Sequence, residues 1–375
     1  MIFLTRYRHA ATRHVELLDD IVFPQRVHLF PETYARTQTG MFYVPHRLAD
    51  KVLDPVLITE LRENPVGKSA FILAGGNAHF AGINQRQYKS RLTYNYKLLP
   101  LTLTQIYAGR VAQSFGEMDL ITTDASACAS SLKVMMDVEV LMKHYGYQRV
   151  IVLAVEDGVS NAVLEFFGES RAALTAREEE GGIRPSAFDS RNYGFHVGQG
   201  AALAVFESEK AVERQGINPR AQLRGAYSAS EASSNAIGQR EDGQGFAKAI
   251  AGALSQGGLS RDRITVIKTH GTGTESNNKA ERHAIEGQFK DFVATSYKQR
   301  IGHTMGASGL LETLLLLEDM ANGQIPAIEN RTESDSRFLS EPASPPAGLV
   351  LSLAAGMGNI YSAAVFENLG GRLPV

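Results

Sequence analysis

Only one cysteine, Cys128, stands among the 375 residues. That excludes an internal disulfide and any metal site built from several thiolates. An excess of one charge is also missing. Lys and Arg total 38 against 40 Asp and Glu, for a formal net charge of -2, so the global balance offers nothing to nucleic acid or to an anionic membrane. Long apolar runs are lacking as well. The strongest, GLLETLLLLEDMA from Gly309, carries Glu312 and Glu318 and is too short to span a bilayer. The opening, MIFLTRYRHA, is interrupted by Arg6 and Arg8 and has no signal-peptide core. We therefore expect a soluble, cytoplasmic chain with no metal, membrane or nucleic-acid partner; a reducing compartment suits a single thiol. What is present, 43% hydrophobic and 21% charged residues, is the composition of an ordinary folded protein. The length allows one large domain or two.

The middle of the chain alternates strand and helix patterns. KSAFILAGG (68–76) reads as a buried strand ended by a glycine turn, and LTLTQIYAGRVAQSF (101–115) as a helix. DLITTDAS reads as a strand approaching Cys128. Beyond it, Val134, Met135, Val138, Leu141 and Met142 recur at helical spacing, with Gly146 as the stop. RVIVLAVE (149–156) is apolar almost throughout, which predicts a parallel sheet buried on both faces. GQGAALAVFES (198–208) is another strand, and EKAVERQGINPRA a connector. A second run of alternating elements then begins at AQLRGAYSAS. It continues with a helix at 246–256, a strand and glycine-rich loop at 263–274, an apolar helix from Ser308, and two closing strands within 348–368. Two alternating halves, 1–215 and 216–375, imply a layered α/β architecture. No residue-level repeat is visible between them, and the first 65 residues resist assignment.

A lone cysteine is most often a small buried hydrophobe, and a lone histidine is usually structural. Position argues for more here. Cys128 lies in SACASSL, where a strand gives way to a helix among small neighbours, and a helix N-terminus favours a thiolate. His270 in KTHGTGT and His303 in IGHTMGASG sit at two further junctions, each flanked by glycine. Open α/β sheets place active sites at such junctions, so the pattern points to a Cys-His-His enzyme.

These segments resemble the signature motifs of β-ketoacyl synthases. SACASS (126–131) resembles the family's TACSS and supplies Cys128. HGTGT stands intact at 270–274, followed by the family's glutamate at Glu281, and Lys298 precedes GHTMGASG at the family's interval. AGRVAQSFG (108–116) and GFHVGQGAALAVFE (194–207) resemble two more family stretches, and the similarity runs from about residue 70 to 367. The resemblance implies a thiolase fold, an αβαβα sandwich of two pseudo-duplicated halves. It implies a decarboxylating Claisen condensation in which Cys128 carries the acyl group and a malonyl-carrier thioester extends it. Neutral His270 and His303 would stabilise the enolate, and Lys298 would support His303 with Glu281 as its ionic partner. The backbone N–H groups of Cys128 and Ala355 would form the oxyanion hole. Thr272 and Thr274, with Leu353, would contact the pantetheine arm; the threonines read equally well as loop-stabilising hydroxyls. No cofactor of the enzyme's own is implied, only the phosphopantetheine of an acyl carrier protein. That protein, and a second ketosynthase-like chain in a homodimer or heterodimer, are the implied partners. Carrier proteins are acidic, and Arg86, Lys89 and Arg91 form a candidate docking cluster beside their plainer reading as a solvated loop.

The pattern also departs from the family. Leu353 and Ala355 replace two phenylalanines, the second of which usually gates the acyl pocket. Ala129 follows the nucleophile, Asn277 and Asn278 replace a Gly-Asp pair, Gln199 replaces an acid, VLAVED lacks the family's glycines, and the N-terminal portion is shortened. These changes suggest polyketide or other specialised acyl chemistry. Two alternatives share the fold: an acyltransferase that does not elongate, and a silent subunit that shapes a partner's pocket. The retained cysteine counts against the second.

Overall fold

Alternate side chains of one strand decide the layering. Every residue of RVIVLAVED is buried, yet Val150, Val152 and Ala154 enter one core while Ile151, Leu153 and Val155 enter another. A strand covered on both faces has no solvent side to mark with polar residues, hence its unbroken apolar character. The computed structural model describes residues 1–19, 21–32, 48–75, 103–159, 161–233 and 235–370.

The first half contributes strands β1 (Ile2–Ala10), β2 (Val15–Leu18), β3 (Gln25–His28), β4 (Ser69–Ala74), β5 (Leu120–Asp124), β6 (Arg149–Asp157) and β7 (Val197–Ser208). The second contributes β8 (Ala221–Ser230), β9 (Ile264–Lys268), β10 (Val293–Thr295), β11 (Leu349–Gly356) and β12 (Ile360–Asn368). The spatial order β5-β4-β6-β7-β1 in the first half is matched by β10-β9-β11-β12-β8 in the second. Pairing directions match too. β4 runs parallel to β5 and β6, β6 is antiparallel to β7, and β7 is antiparallel to β1. In the same way β9 is parallel to β10 and β11, β11 is antiparallel to β12, and β12 is antiparallel to β8. The halves join where Ile2–Leu4 of β1 pair antiparallel with Leu223–Ala221 of β8.

Helices α1 (Pro55–Glu63) and α2 (Thr104–Ala112) cover the outer face of the first sheet. Helices α3 (Ser130–His144), α4 (Asn161–Glu169) and α5 (Glu209–Gln215), with the short helix Ala176–Glu180, complete that half. Helices α6 (Gln244–Gly257) and α7 (Glu275–Glu286) cover the outer face of the second sheet. Helix α3 and helix α8 (Ser308–Ala321) share the central core, between the inner faces of both sheets. This is the αβαβα sandwich of the thiolase fold. The two central helices touch at Gly309, where a Cβ would lie 2.7 Å from Leu132 Cβ. Only glycine permits that approach, and it lets Leu310 N donate to Ser131 Oγ at 3.0 Å.

Several expectations need correction. The connector expected at EKAVERQGINPRA contains α5, capped by Ser208 Oγ, which accepts from Ala211 N, and stopped by Gly216 in the left-handed region. β6 is parallel to one neighbour only. The opening MIFLTRYRHA holds a long strand at the centre of the fold, its pattern hidden because Arg6 and Arg8 point to Glu60, Glu207 and Asp54. A short sequence repeat does exist. Ala-Ser-Ser-Leu at 129–132 and Ala-Ser-Gly-Leu at 307–310 occupy equivalent turns, each entered by a residue of positive φ, Ala127 at 47° and Met305 at 42°.

Leu353 does not line the cavity that Cys128, His270 and His303 share. It is fully buried with Ile267, Leu351 and Phe246 in the core between the second sheet and its outer helices. Leu353→Ala should therefore cost about 2–5 kcal/mol of stability, read by chemical denaturation, with substrate KM unchanged. A raised KM at wild-type stability would return Leu353 to the site.

Candidate active site

Three chain segments meet at one cavity of about 790 Å³, lined among others by Cys128, His270, His303, Thr272, Thr274 and Ala355. Each comes from a junction. Cys128 lies in a short 3-10 turn, Ala127–Ala129, between β5 and α3. His270 lies two residues past the end of β9. His303 stands between the short helix Lys298–Ile301 and the 3-10 turn that opens α8.

Backbone contacts fix His303. Its N–H donates to His196 O at 2.7 Å, and its carbonyl accepts from Gly198 N at 3.0 Å. Its Nδ1 is 2.9 Å from Ser308 Oγ, which lies 3.1 Å from Thr304 Oγ1. Phe195 packs edge-on against the ring at 4.9 Å between centroids. His270 lies 5.8 Å from His303, nearly perpendicular, and its buried Nδ1 has no hydrogen-bond partner among the described residues. Gly273 lets the HGTGT loop turn: its φ is +74°, and a Cβ there would meet Ser186 O at 2.0 Å.

Burial sets the protonation states. Desolvation, followed by the Lys298 charge, holds both imidazoles well below their ordinary value of 6.5, so both rings are neutral at physiological pH. The same burial pushes the Cys128 thiol up to about 12, against the opposing pull of Lys298. The thiolate expected from the helix N-terminus is thus overridden by desolvation. Cys128 rests as a thiol, with Sγ 4.0 Å from Met305 Sδ.

Beneath the cavity the ion pairs differ from expectation. Lys298 pairs with Glu312, Nζ to Oε1 at 2.8 Å, and the other oxygen of Glu312 takes Lys268 Nζ at 3.1 Å. Lys268 also donates to Leu353 O at 2.8 Å. All three side chains are fully buried. Glu281 does not pair with Lys298. It accepts from the backbone N–H groups of His270 and Gly271 and from Asn277 Nδ2. Burial raises its pKa, while those donors pull the other way. Its location gives Asn277 a buried partner, while Asn278 Oδ1 accepts from Phe188 N at 3.1 Å. Gln199 likewise bridges Asp157 and Phe30 N.

Thr272 and Thr274 lie side by side, 3.0 Å between hydroxyl oxygens, on the cavity wall. Ala355 lines the cavity with Gly356 and Met357. Arg86, Lys89 and Arg91 fall outside the described residues. Sequence reasoning missed Lys268, Glu312, Ser308 and Phe195. Glu312 had a signal: an acid on the innermost helix, amid leucines, needs a buried cation. Among the described residues no group of His, Cys, Asp and Glu side chains could hold a metal ion, and no helix is long and apolar enough to cross a membrane.

Family models describing the β-ketoacyl synthase N-terminal and C-terminal domains match residues 56–212 and 220–332. The tetracenomycin polyketide synthase ketoacyl synthase alpha subunit of Streptomyces glaucescens is 28% identical over 349 residues, covering 89% of this chain and 81% of that protein. Three further Streptomyces β-ketoacyl synthases are 24%, 25% and 26% identical, and the chain spans just under two thirds of each, 64%, 65% and 64% respectively. Among solved structures, a type II polyketide synthase acyl-carrier protein in complex with its ketosynthase bound to the hexaketide superposes with a TM-score of 0.84 at 17% identity, covering 98% of this chain and 99% of that one. The ishigamide ketosynthase/chain length factor gives 0.77 at 18% identity, with 98% of each chain covered.

The ion-pair geometry is testable by double-mutant cycles in urea. Lys298→Met with Glu312→Gln should show a coupling of about 1–3 kcal/mol, and Lys298→Met with Glu281→Gln less than about 0.5 kcal/mol. The reverse ranking would contradict the assignment.

Proposed function

The chain belongs to the β-ketoacyl synthase family, and from that premise we propose that it is a catalytic ketosynthase of polyketide type that performs decarboxylative condensation on carrier-bound acyl groups. The observation that carries this reading is the convergence of a buried thiol and two neutral imidazoles on one cavity.

The steps follow from those protonation states. An acyl group leaves the phosphopantetheine sulfur of its carrier and forms a thioester with Cys128 Sγ. The thiol proton passes through a neutral imidazole to the departing sulfur, which is how a thiol held up to about 12 is made nucleophilic without a standing thiolate. A malonyl-carrier thioester then binds, its carbon–carboxylate bond breaks and carbon dioxide leaves. The electron pair remains as an enolate whose oxygen accepts hydrogen bonds from His270 and His303. The enolate carbon attacks the Cys128 thioester; a carbon–carbon bond forms, the carbon–sulfur bond breaks, and sulfur takes a proton from solvent.

For His303 to donate through Nε2, its Nδ1 must accept. Ser308 then donates to Nδ1 and Thr304 donates to Ser308, as their spacings allow. The backbone N–H groups of Cys128 and Ala355 hold the oxyanion in this reading. Thr272 and Thr274 position the pantetheine arm. An acyl carrier protein delivers both substrates, as in the similar complex with a carrier protein, and a second ketosynthase-like chain is the assembly partner, as in the ketosynthase/chain length factor pair. Alanine at 355 leaves the entrance wider than a phenylalanine would, which suits bulky or growing chains over short saturated ones.

Intact-protein mass spectrometry with acyl-carrier thioesters tests the proposal. Wild type should gain an acyl adduct that Cys128→Ala does not, and malonyl-carrier should discharge it into a product two carbons longer. An adduct that never extends would make this a non-elongating acyltransferase. No adduct from any donor, alone or with a co-expressed relative, would make it a silent subunit.

A further inference from the structure

A second histidine pair lies directly behind the His303 loop. His28, on β3, and His196, at the start of β7, are buried, with His28 Nε2 3.4 Å from His196 Nδ1. The far ends of the pair meet acceptors. His28 Nδ1 is 3.1 Å from the carbonyl of Thr12, and His196 Nε2 is 3.1 Å from Glu179 Oε1. Arg26 Nε lies 3.4 Å from the other oxygen of Glu179.

Proton counting follows from this geometry. A carbonyl and a carboxylate can only accept, so both outer ring nitrogens must carry protons. The inner nitrogen–nitrogen contact is a hydrogen bond only if one of its two atoms also carries a proton. With all three contacts made as hydrogen bonds, the pair holds three protons on four nitrogens, where two neutral imidazoles carry two. We propose that the His28–His196 pair stores one extra proton and positions the catalytic His303 loop, resting on the ketosynthase reading above for its effect on the reaction. Glu179 and Arg26 face His196, and Arg13 acts on His28 at longer range. Burial, followed by the neighbouring His196, drives the His28 pKa down to about 4, so His28 is the neutral member of the pair.

The mechanical link is short. The carbonyl of His196 accepts the backbone N–H of His303, and Gly198, two residues on, donates to its carbonyl. Gly302 fits tightly here: its φ is +76°, and a Cβ there would lie 3.1 Å from both His196 O and His28 Cβ. His303 thus rests on a strand whose own side chain is pinned by an ionic hydrogen bond. Losing the proton would set two unprotonated nitrogens against each other, or one against the carboxylate, and would loosen the register of the His303 loop. His196 and His28 are positioning residues, since neither lines the cavity.

Nitrogen-15 NMR of histidine-labelled protein reads the proton directly and needs no activity. At pH 7.5 the His196 signals, assigned by their absence in His196→Gln, should show both ring nitrogens protonated, with His28 in the neutral Nδ1–H form. A neutral tautomer at His196 together with a neutral His28 would overturn the proposal, whatever reaction the enzyme catalyses. The consequence for catalysis is separate. His196→Gln should slow condensation about tenfold more than acyl loading of Cys128, and the wild-type condensation rate should fall with rising pH where the imidazolium signal is lost. Equal losses in loading and condensation, with no change in the pH profile, would reduce the pair to a structural element.

Discussion

A single carboxylate, Glu312, holds two lysines in the driest layer of the molecule, and the arrangement of the site depends on it. Without Glu312, Lys268 and Lys298 would be buried like charges, a situation that costs several kcal/mol per ion. With it, the lysines supply a positive field beneath His270 and His303. The field and the burial act in the same direction, and both keep the imidazoles uncharged. A neutral ring can donate to an enolate and still take a proton from a thiol; an imidazolium can do only the first. The pair Lys268–Leu353 O also ties this network to the strand that carries Ala355 to the cavity rim.

The fold explains how distant segments reach that network. Doubling one strand order places two helix entrances back to back, at Ala127–Ala129 and Met305–Ala307. One carries Cys128 and the other follows His303. The close approach at Gly309 brings the two entrances together, so the cysteine of one half faces the histidines of the other. Positive φ at Ala127 and Met305 marks the sharp turn each entrance makes. Such backbone strain persists where packing over-determines it.

Much of this was legible in the residues themselves. Strands β4, β6, β7, β9, β11 and β12 and helices α3 and α8 announce themselves by apolar runs or helical spacing, and Cys128, His270 and His303 by the glycine-rich and small-residue junctions around them. What was hidden has physical causes. β1 looks charged because its arginines find carboxylates only through tertiary contacts. α5 and α7 are polar helices with a narrow buried stripe. The partner of Lys298 was misassigned because ion pairing depends on which side chains share a layer, and no one-dimensional spacing reports that. The pKa of Cys128 was misjudged for the same reason: a helix N-terminus is visible in sequence, whereas the burial of the thiol is not.

In the proposed reaction, neutral His270 and His303 drive decarboxylation independently of the Cys128 nucleophile. Carbon dioxide release from a malonyl-carrier thioester by the Cys128→Gln variant tests this most directly, because no acyl transfer can contribute. The account predicts sustained release that drops at least about 100-fold when His303→Gln or His270→Gln is added. Release that is absent with Cys128→Gln, or that survives the loss of either histidine, would contradict it.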